Sequence, residues 1–225
     1  GHGIHELRTR IIDAVGNATL WATHEIKVDI AGPVDTTTVP SGWVTDAEEV
    51  VVQVSGEDPS GAGVELIEWK VTNTLTGVEI QAGSAPGPGP VPLTISGDGV
   101  YKVETQLTDG VGDPSGWRTQ YVRIDTVRPN DTTNVAGGWS DRTVNVTVGG
   151  TDEHSGVARL EWDLNGTLGS FDGTSHVVPV ASDGVNTLKT RVIDAAGNAS
   201  EWKKHTVRVD LTLPVNLTAA APTDW

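Results

Sequence analysis

The chain has 225 residues, too many for one small sandwich and enough for two modules of roughly 90 residues plus extra pieces. Cysteine and methionine are absent, which excludes disulfides, thiol nucleophiles, cysteine-ligated zinc and thioether-ligated metals. Thirty acidic against fifteen basic residues give a net charge of −15, which argues against nucleic acid or membrane insertion, and no apolar run reaches the roughly 18 residues that cross a bilayer.

In chain order, residues 1–33 read as the last two strands of a partial module, joined through Asp13, Gly16 and Asn17 and closed by Pro33. Residues 34–129 read as a complete module, with Gly42-Trp43 near its start, Glu68-Trp69 in its middle, Asp109 and Trp117 late, then Asp125 and Pro129. Residues 130–214 repeat that order with Gly138-Trp139, Glu161-Trp162, Asp194, Trp202, Asp210 and Pro214, and residues 215–225 read as the start of a further module. Residues 188–202 match residues 7–21 nearly residue for residue. Residues 103–117 are a weaker middle copy, so the repeat spacings are 96 and then 85 residues.

Within each copy apolar residues alternate with period two, as in Val144, Val146 and Val148, then Leu160, Trp162 and Leu164. Half-buried strands carry this pattern, and Asn165-Gly166 and Asp183-Gly184 are among the turns that bound the runs. About seven short strands per copy predict an all-β fold of tandem antiparallel β-sandwiches. Trp69 and Trp162 are in phase with apolar strand neighbours, and the expectation is that they form the core and supply the central bulk that a disulfide would otherwise provide.

The run Ser155-Gly-Val-Ala-Arg-Leu-Glu-Trp162-Asp-Leu-Asn-Gly166, the pair Asp183-Gly184 and the stretch Leu188 to Ser200 resemble the immunoglobulin-like (fibronectin-III-like) repeats of bacterial secreted and surface proteins. The resemblance covers both full modules and the partial one. It implies immunoglobulin-like sandwiches at an extracellular or cell-surface location, serving as spacers, stalks or adhesive arrays without catalytic residues. The partners it implies are neighbouring immunoglobulin-like modules of the same or other chains. The middle copy departs from the pattern, with Asp109-Gly-Val-Gly-Asp113-Pro-Ser where the others have Asp-Ala-x-Gly-Asn-Ala-Ser/Thr, and with a proline-rich insertion from Gly83 to Pro92.

Four groups of residues are candidates for chemistry. In the repeated loop, Asp13 and Asp194 suit acceptance of backbone N–H groups across a tight turn, Gly16 and Gly197 permit positive φ, and Asn17 and Asn198 tolerate the left-handed region. That is a structural turn, with calcium as its alternative use. No organic cofactor is expected, and calcium is the one ion the residues suggest: Asp29, Asp125 and Asp210 stand at module exits, while Asp58 and Asp152 lie in the loop after the second strand. Trp43 and Trp139 recur near the first strand, where an exposed indole would stack on sugar rings and a covered one would pack against a linker. The histidines lack zinc-protease spacing, and His24 and His205 read as surface strand positions. Ser60 and Ser155 lie in Ser-Gly turns, without a nucleophile elbow.

These features point to a non-enzymatic structural repeat that spaces or projects other domains on a bacterial surface, stalk or filament. Two alternatives remain: a carbohydrate-binding or adhesive module using exposed Trp with surface glycans or proteins, and a polymer subunit completed by strand exchange between chains.

Overall fold

Strands β1 (Gly3–Thr9) and β2 (Ala22–Val28) open the chain as an antiparallel hairpin in register from Gly3 opposite Val28 to Thr9 opposite Ala22. This computed structural model describes residues 2–47 and 49–217, and among them every regular element is a strand. The chain divides into two units, Gly1–Thr126 and Val127–Trp225.

After the hairpin, the first unit contains β3 (Val34–Asp35), β4 (Trp43–Val44), β5 (Glu49–Val54), β6 (Gly56–Glu57), β7 (Val64–Asn73), β8 (Glu79–Pro86), β9 (Val91–Ser96), β10 (Gly99–Asp109) and β11 (Arg118–Ile124). A five-stranded sheet in the order β4-β11-β10-β7-β8 makes one layer; the pairs β5-β9 and β3-β6 make the other. The second unit holds β12 (Asn130–Asp131), β13 (Trp139–Ser140), β14 (Val144–Thr151), β15 (Val157–Leu164), β16 (Thr167–Asp172), β17 (Ser175–Val180), β18 (Gly184–Asp194) and β19 (Lys203–Val209). Its sheets run β13-β19-β18-β15-β16 and β12-β14-β17. Two facing sheets in this order are the immunoglobulin and fibronectin-III type of sandwich.

Pairing is antiparallel except where β4 runs parallel to β11 and β13 parallel to β19. Each module has more than seven elements because its opening strand is split between the two sheets and, in the first module, the following strand is also divided into β5 and β6. Pro40, which has no N–H to give a ladder, lies between β3 and β4, and Gly137-Gly138 lies between β12 and β13. Residues 211–217 carry no strand, and most of the further module expected over residues 215–225 lies outside the described residues.

Period-two alternation decides what each strand buries. Along β10 the inward residues are Tyr101, Val103, Thr105, Leu107 and Asp109; along β18 they are Asn186, Leu188, Thr190, Val192 and Asp194. The fully buried bulk is aliphatic, with Ile67, Leu93, Ile95 and Leu107 in the first sandwich and Leu160 and Leu188 in the second. Trp69 and Trp162 are half-buried at the margins of these cores, not at their centres. Each indole is covered by a glycine of the neighbouring strand, Gly83 opposite Trp69 and Gly169 opposite Trp162, where any Cβ would collide with the ring.

His205 belongs to the second interior, which corrects its reading as a surface position. It is in phase with Val207 and Val209, only 9% exposed, and its Nε2 lies 3.1 Å from the Thr190 hydroxyl. Its counterpart His24 is exposed, as the surface reading expected, and contacts Thr9 Oγ1 at 3.2 Å. In the hairpin Leu7 and Ile26 are exposed, whereas their counterparts Leu188 and Val207 are buried.

Candidate metal centre

Three of the repeated turns converge at one end of the first sandwich. Asp109 ends the buried face of β10, just past a register shift between Thr108 and Asp109, so its carboxylate points inward where the next inward position would be. It is 1% exposed. Asp58 follows β6 and Asp29 follows β2, both half-buried. One carboxylate oxygen from each of Asp29, Asp58 and Asp109 lies within 4.8 Å of the others.

Backbone donors aim all three carboxylates. Asp29 accepts from Ala31 N at 3.3 Å and Ala62 N at 2.9 Å. Asp58 Oδ1 accepts from Ser60 N at 2.9 Å and from the Ser60 hydroxyl, and its Oδ2 from Gly63 N at 2.6 Å. Asp109 Oδ1 accepts from Val111 N at 2.9 Å and Asp113 N at 2.8 Å. The other oxygen, Asp109 Oδ2, is buried without a hydrogen-bond partner. Two glycines let the loops close in. A Cβ on Gly110 would stand 2.8 Å from the Ala62 carbonyl, and one on Gly32 would stand 2.5 Å from that of Pro114.

The electrostatics are unbalanced. None of the ion pairs among the described residues includes Asp29, Asp58 or Asp109, so three carboxyl groups stand close together without an ion-paired Lys or Arg. The Ser60 hydroxyl, reinforced by backbone N–H groups, holds the Asp29 and Asp58 carboxyls below the usual range, so both stay ionised. Clefts reach the cluster from two sides, one lined by Glu65, Thr108, Asp109 and Gly112, the other by Asp29, Ser60 and Gly110.

The repeated turn explains why Asp109 is exceptional. In the outer copies the asparagine amide closes the loop: Asn17 Nδ2 donates to Asp13 Oδ2 at 2.8 Å and Asn198 Nδ2 to Asp194 Oδ2 at 3.0 Å. The Asn17 amide holds the Asp13 carboxyl low. In the middle copy that place belongs to Asp113, whose side chain has no amide N–H to give. Gly16, Gly112 and Gly197 adopt φ of 96°, 94° and 104°. Asn165, at φ 53°, is the non-glycine residue with positive φ among those described, so Asn17 and Asn198 act through their amides and not through a left-handed backbone.

The other candidates are placed as follows. Asp152 Oδ1 accepts from His154 N at 3.1 Å and Gly156 N at 2.7 Å, repeating the Asp58 turn. Asp125 is fully buried and its N–H donates to Val44 O at 2.9 Å. Asp210 is exposed; its N–H donates to Ser140 O at 2.8 Å and its Oδ1 accepts from Thr212 N at 3.1 Å. Trp43 is half-buried on β4 beside Arg123, while Trp139 on β13 is 61% exposed. The sequence offers calcium as the alternative use of the repeated turn but does not group Asp109 with Asp29 and Asp58; the available signal is Asp113 in place of the asparagine amide.

No family model matches the chain, and no curated protein matches it. Among solved structures, the chain is similar to fibronectin(III)-like modules of CbhA from Clostridium thermocellum, at 13% identity and a TM-score of 0.38 over 83% of this chain and 99% of that one. It is also similar to the FN1-FN3 domains of chicken CNTN1, at 10% identity and a TM-score of 0.34 over 91% of this chain and 76% of that one. Sidekick-1 immunoglobulin domains 1–5 match at 12% identity and a TM-score of 0.48, covering 90% of this chain and 46% of theirs.

Proposed function

We propose that the chain is a structural, extracellular repeat segment of a bacterial surface, stalk or filament protein that spaces or projects other domains. The observation that carries this reading is the construction of one sandwich twice in tandem, with the same strand order and corresponding inward positions. Only residues 125–129 separate the last strand of the first from the first strand of the second. Such arrays set distance through the number of units. Surface proteolysis of the native source is the test. Module peptides shaved from intact cells are the expected result; recovery of the protein solely from the cytosolic fraction overturns it.

The exposure of Trp139 supports a second, adhesive reading, in which its indole stacks on a sugar face. Glycan-array binding that disappears in Trp139→Ala is expected on that reading. Equal binding by the two proteins, or none by either, removes it.

A further inference from the structure

We propose that Asp29, Asp58 and Asp109 bind one calcium ion, which ties the exit of the β1–β2 hairpin to the loops at the end of the first sandwich. Two independent observations meet here. Three carboxylates from three separate turns bring oxygens within 4.8 Å of one another, and the most buried of them, on Asp109, presents an oxygen with no partner.

The donor set selects the ion. All three ligands are carboxylate oxygens, which suit a hard cation; zinc favours nitrogen and sulfur. Oxygens bound to one calcium at about 2.3–2.6 Å from the ion stand up to about 5 Å apart, whereas magnesium requires a tighter octahedron at about 2.0–2.1 Å. Three carboxylates aimed by their own backbone hydrogen bonds, with oxygens no more than 4.8 Å apart, fit within calcium's looser shell. Calcium also supplies a positive charge to carboxylates that no ion pair among the described residues includes.

In the middle copy Asp109 offers an oxygen that its counterparts Asp13 and Asp194 do not. With Asp113 in place of the asparagine, the amide that occupies Asp13 Oδ2 and Asp194 Oδ2 is gone, and Asp109 Oδ2 is released for coordination. This inference is independent of the spacer reading, because the site stands whatever the array projects.

The test is calorimetric titration of calcium into the chelator-stripped full chain, wild type against Asp109→Asn. The retained oxygen of the variant still accepts from Val111 and Asp113, so the turn survives while the ligand oxygen becomes an amide. The wild type is expected to bind one calcium more per chain than the variant, with a dissociation constant on the order of 10⁻⁴–10⁻³ M, typical of extracellular modules. Asp141→Asn, far out in solvent, is expected to match the wild type. Equal stoichiometry in wild type and Asp109→Asn overturns the proposal, as does the absence of calcium binding in the wild type. Magnesium binding as tight as calcium overturns the choice of ion. If Asp109→Asn loses its near-ultraviolet circular dichroism, Asp29→Asn replaces it, since Asp29 lies after the hairpin and outside the sandwich core; undiminished binding there overturns the proposal equally.

Discussion

The Thr190 hydroxyl donates to Asp131 Oδ2 at 2.5 Å inside the second sandwich, and the first sandwich repeats the bond between Thr105 and Asp35 at 2.5 Å. In both places a buried threonine on the penultimate strand holds the short opening strand, whose aspartate Oδ1 also accepts from the N–H two residues on. Thr190→Val keeps the shape and removes the donor, leaving a buried carboxylate oxygen without it. Urea unfolding of the variant should show a loss of about 1–3 kcal/mol. Thr9→Val, at the exposed counterpart, should leave the midpoint unchanged.

His205 introduces a pH dependence. Burial lowers its pKa below the ordinary value of 6.5, against the opposing pull of Asp131, and Lys203 adds to the lowering. The unfolded chain therefore binds the proton more readily than the folded one. Stability from this residue is complete above about pH 6.5 and falls as the pH drops through the interval between the unfolded and folded values. Thermal melts from pH 7.5 to 5 should show that decline. It should shrink in His205→Gln, which installs the residue found at the equivalent Gln120.

Gly169 and Gly83 are predicted to be irreplaceable in their strands. An alanine Cβ at 169 would stand 2.3 Å from Trp162 Cε2, and one at 83 would stand 2.7 Å from Trp69 Cζ2. Either substitution should cost about 1–3 kcal/mol through overpacking and shift the tryptophan emission. Gly42→Ala, where no atom lies within 4 Å of the added carbon, serves as the silent control.

Asp113→Asn restores the amide that closes the outer loops. Without calcium this variant should be more stable than the wild type by about 1 kcal/mol, the net worth of one hydrogen bond. With calcium it should bind less tightly, because the new donor competes with the ion for Asp109 Oδ2. Paired calcium-free and calcium-loaded melts read both effects.

Much of the fold was legible because it is written in alternation and repetition. Val144, Val146 and Val148 announce a strand with one buried face, and the match of residues 103–117 to 188–202 announces that β10 and β18 occupy the same place in their sandwiches. The position of the tryptophans was less legible. Periodicity places Trp162 on the inward face but says nothing of how near the edge its strand lies, and only the pairing with Gly169 shows that β16 flanks it. His205 was misread because a lone polar side chain in an alternating strand was assigned to solvent, when its phase with Val207 places it inside. Asp29 and Asp58 were recognisable as possible ligands, yet their meeting with Asp109 depends on how three turns distant in sequence stack at one end of a sandwich. Local patterns carry no such information.

The parallel pairings have a mechanical consequence. Trp43-Val44 lies alongside Arg123-Ile124, and Trp139-Ser140 alongside Arg208-Val209, with the Asp125 and Asp210 N–H groups adding a bond at each end. Tension applied along the chain enters a module near its first strand and leaves by its last. Because those strands run the same way, the pull slides one past the other and strains their hydrogen bonds together, not one after another. Each module is thereby built as a link loaded in shear, the geometry in which a few bonds bear the greatest force before giving way.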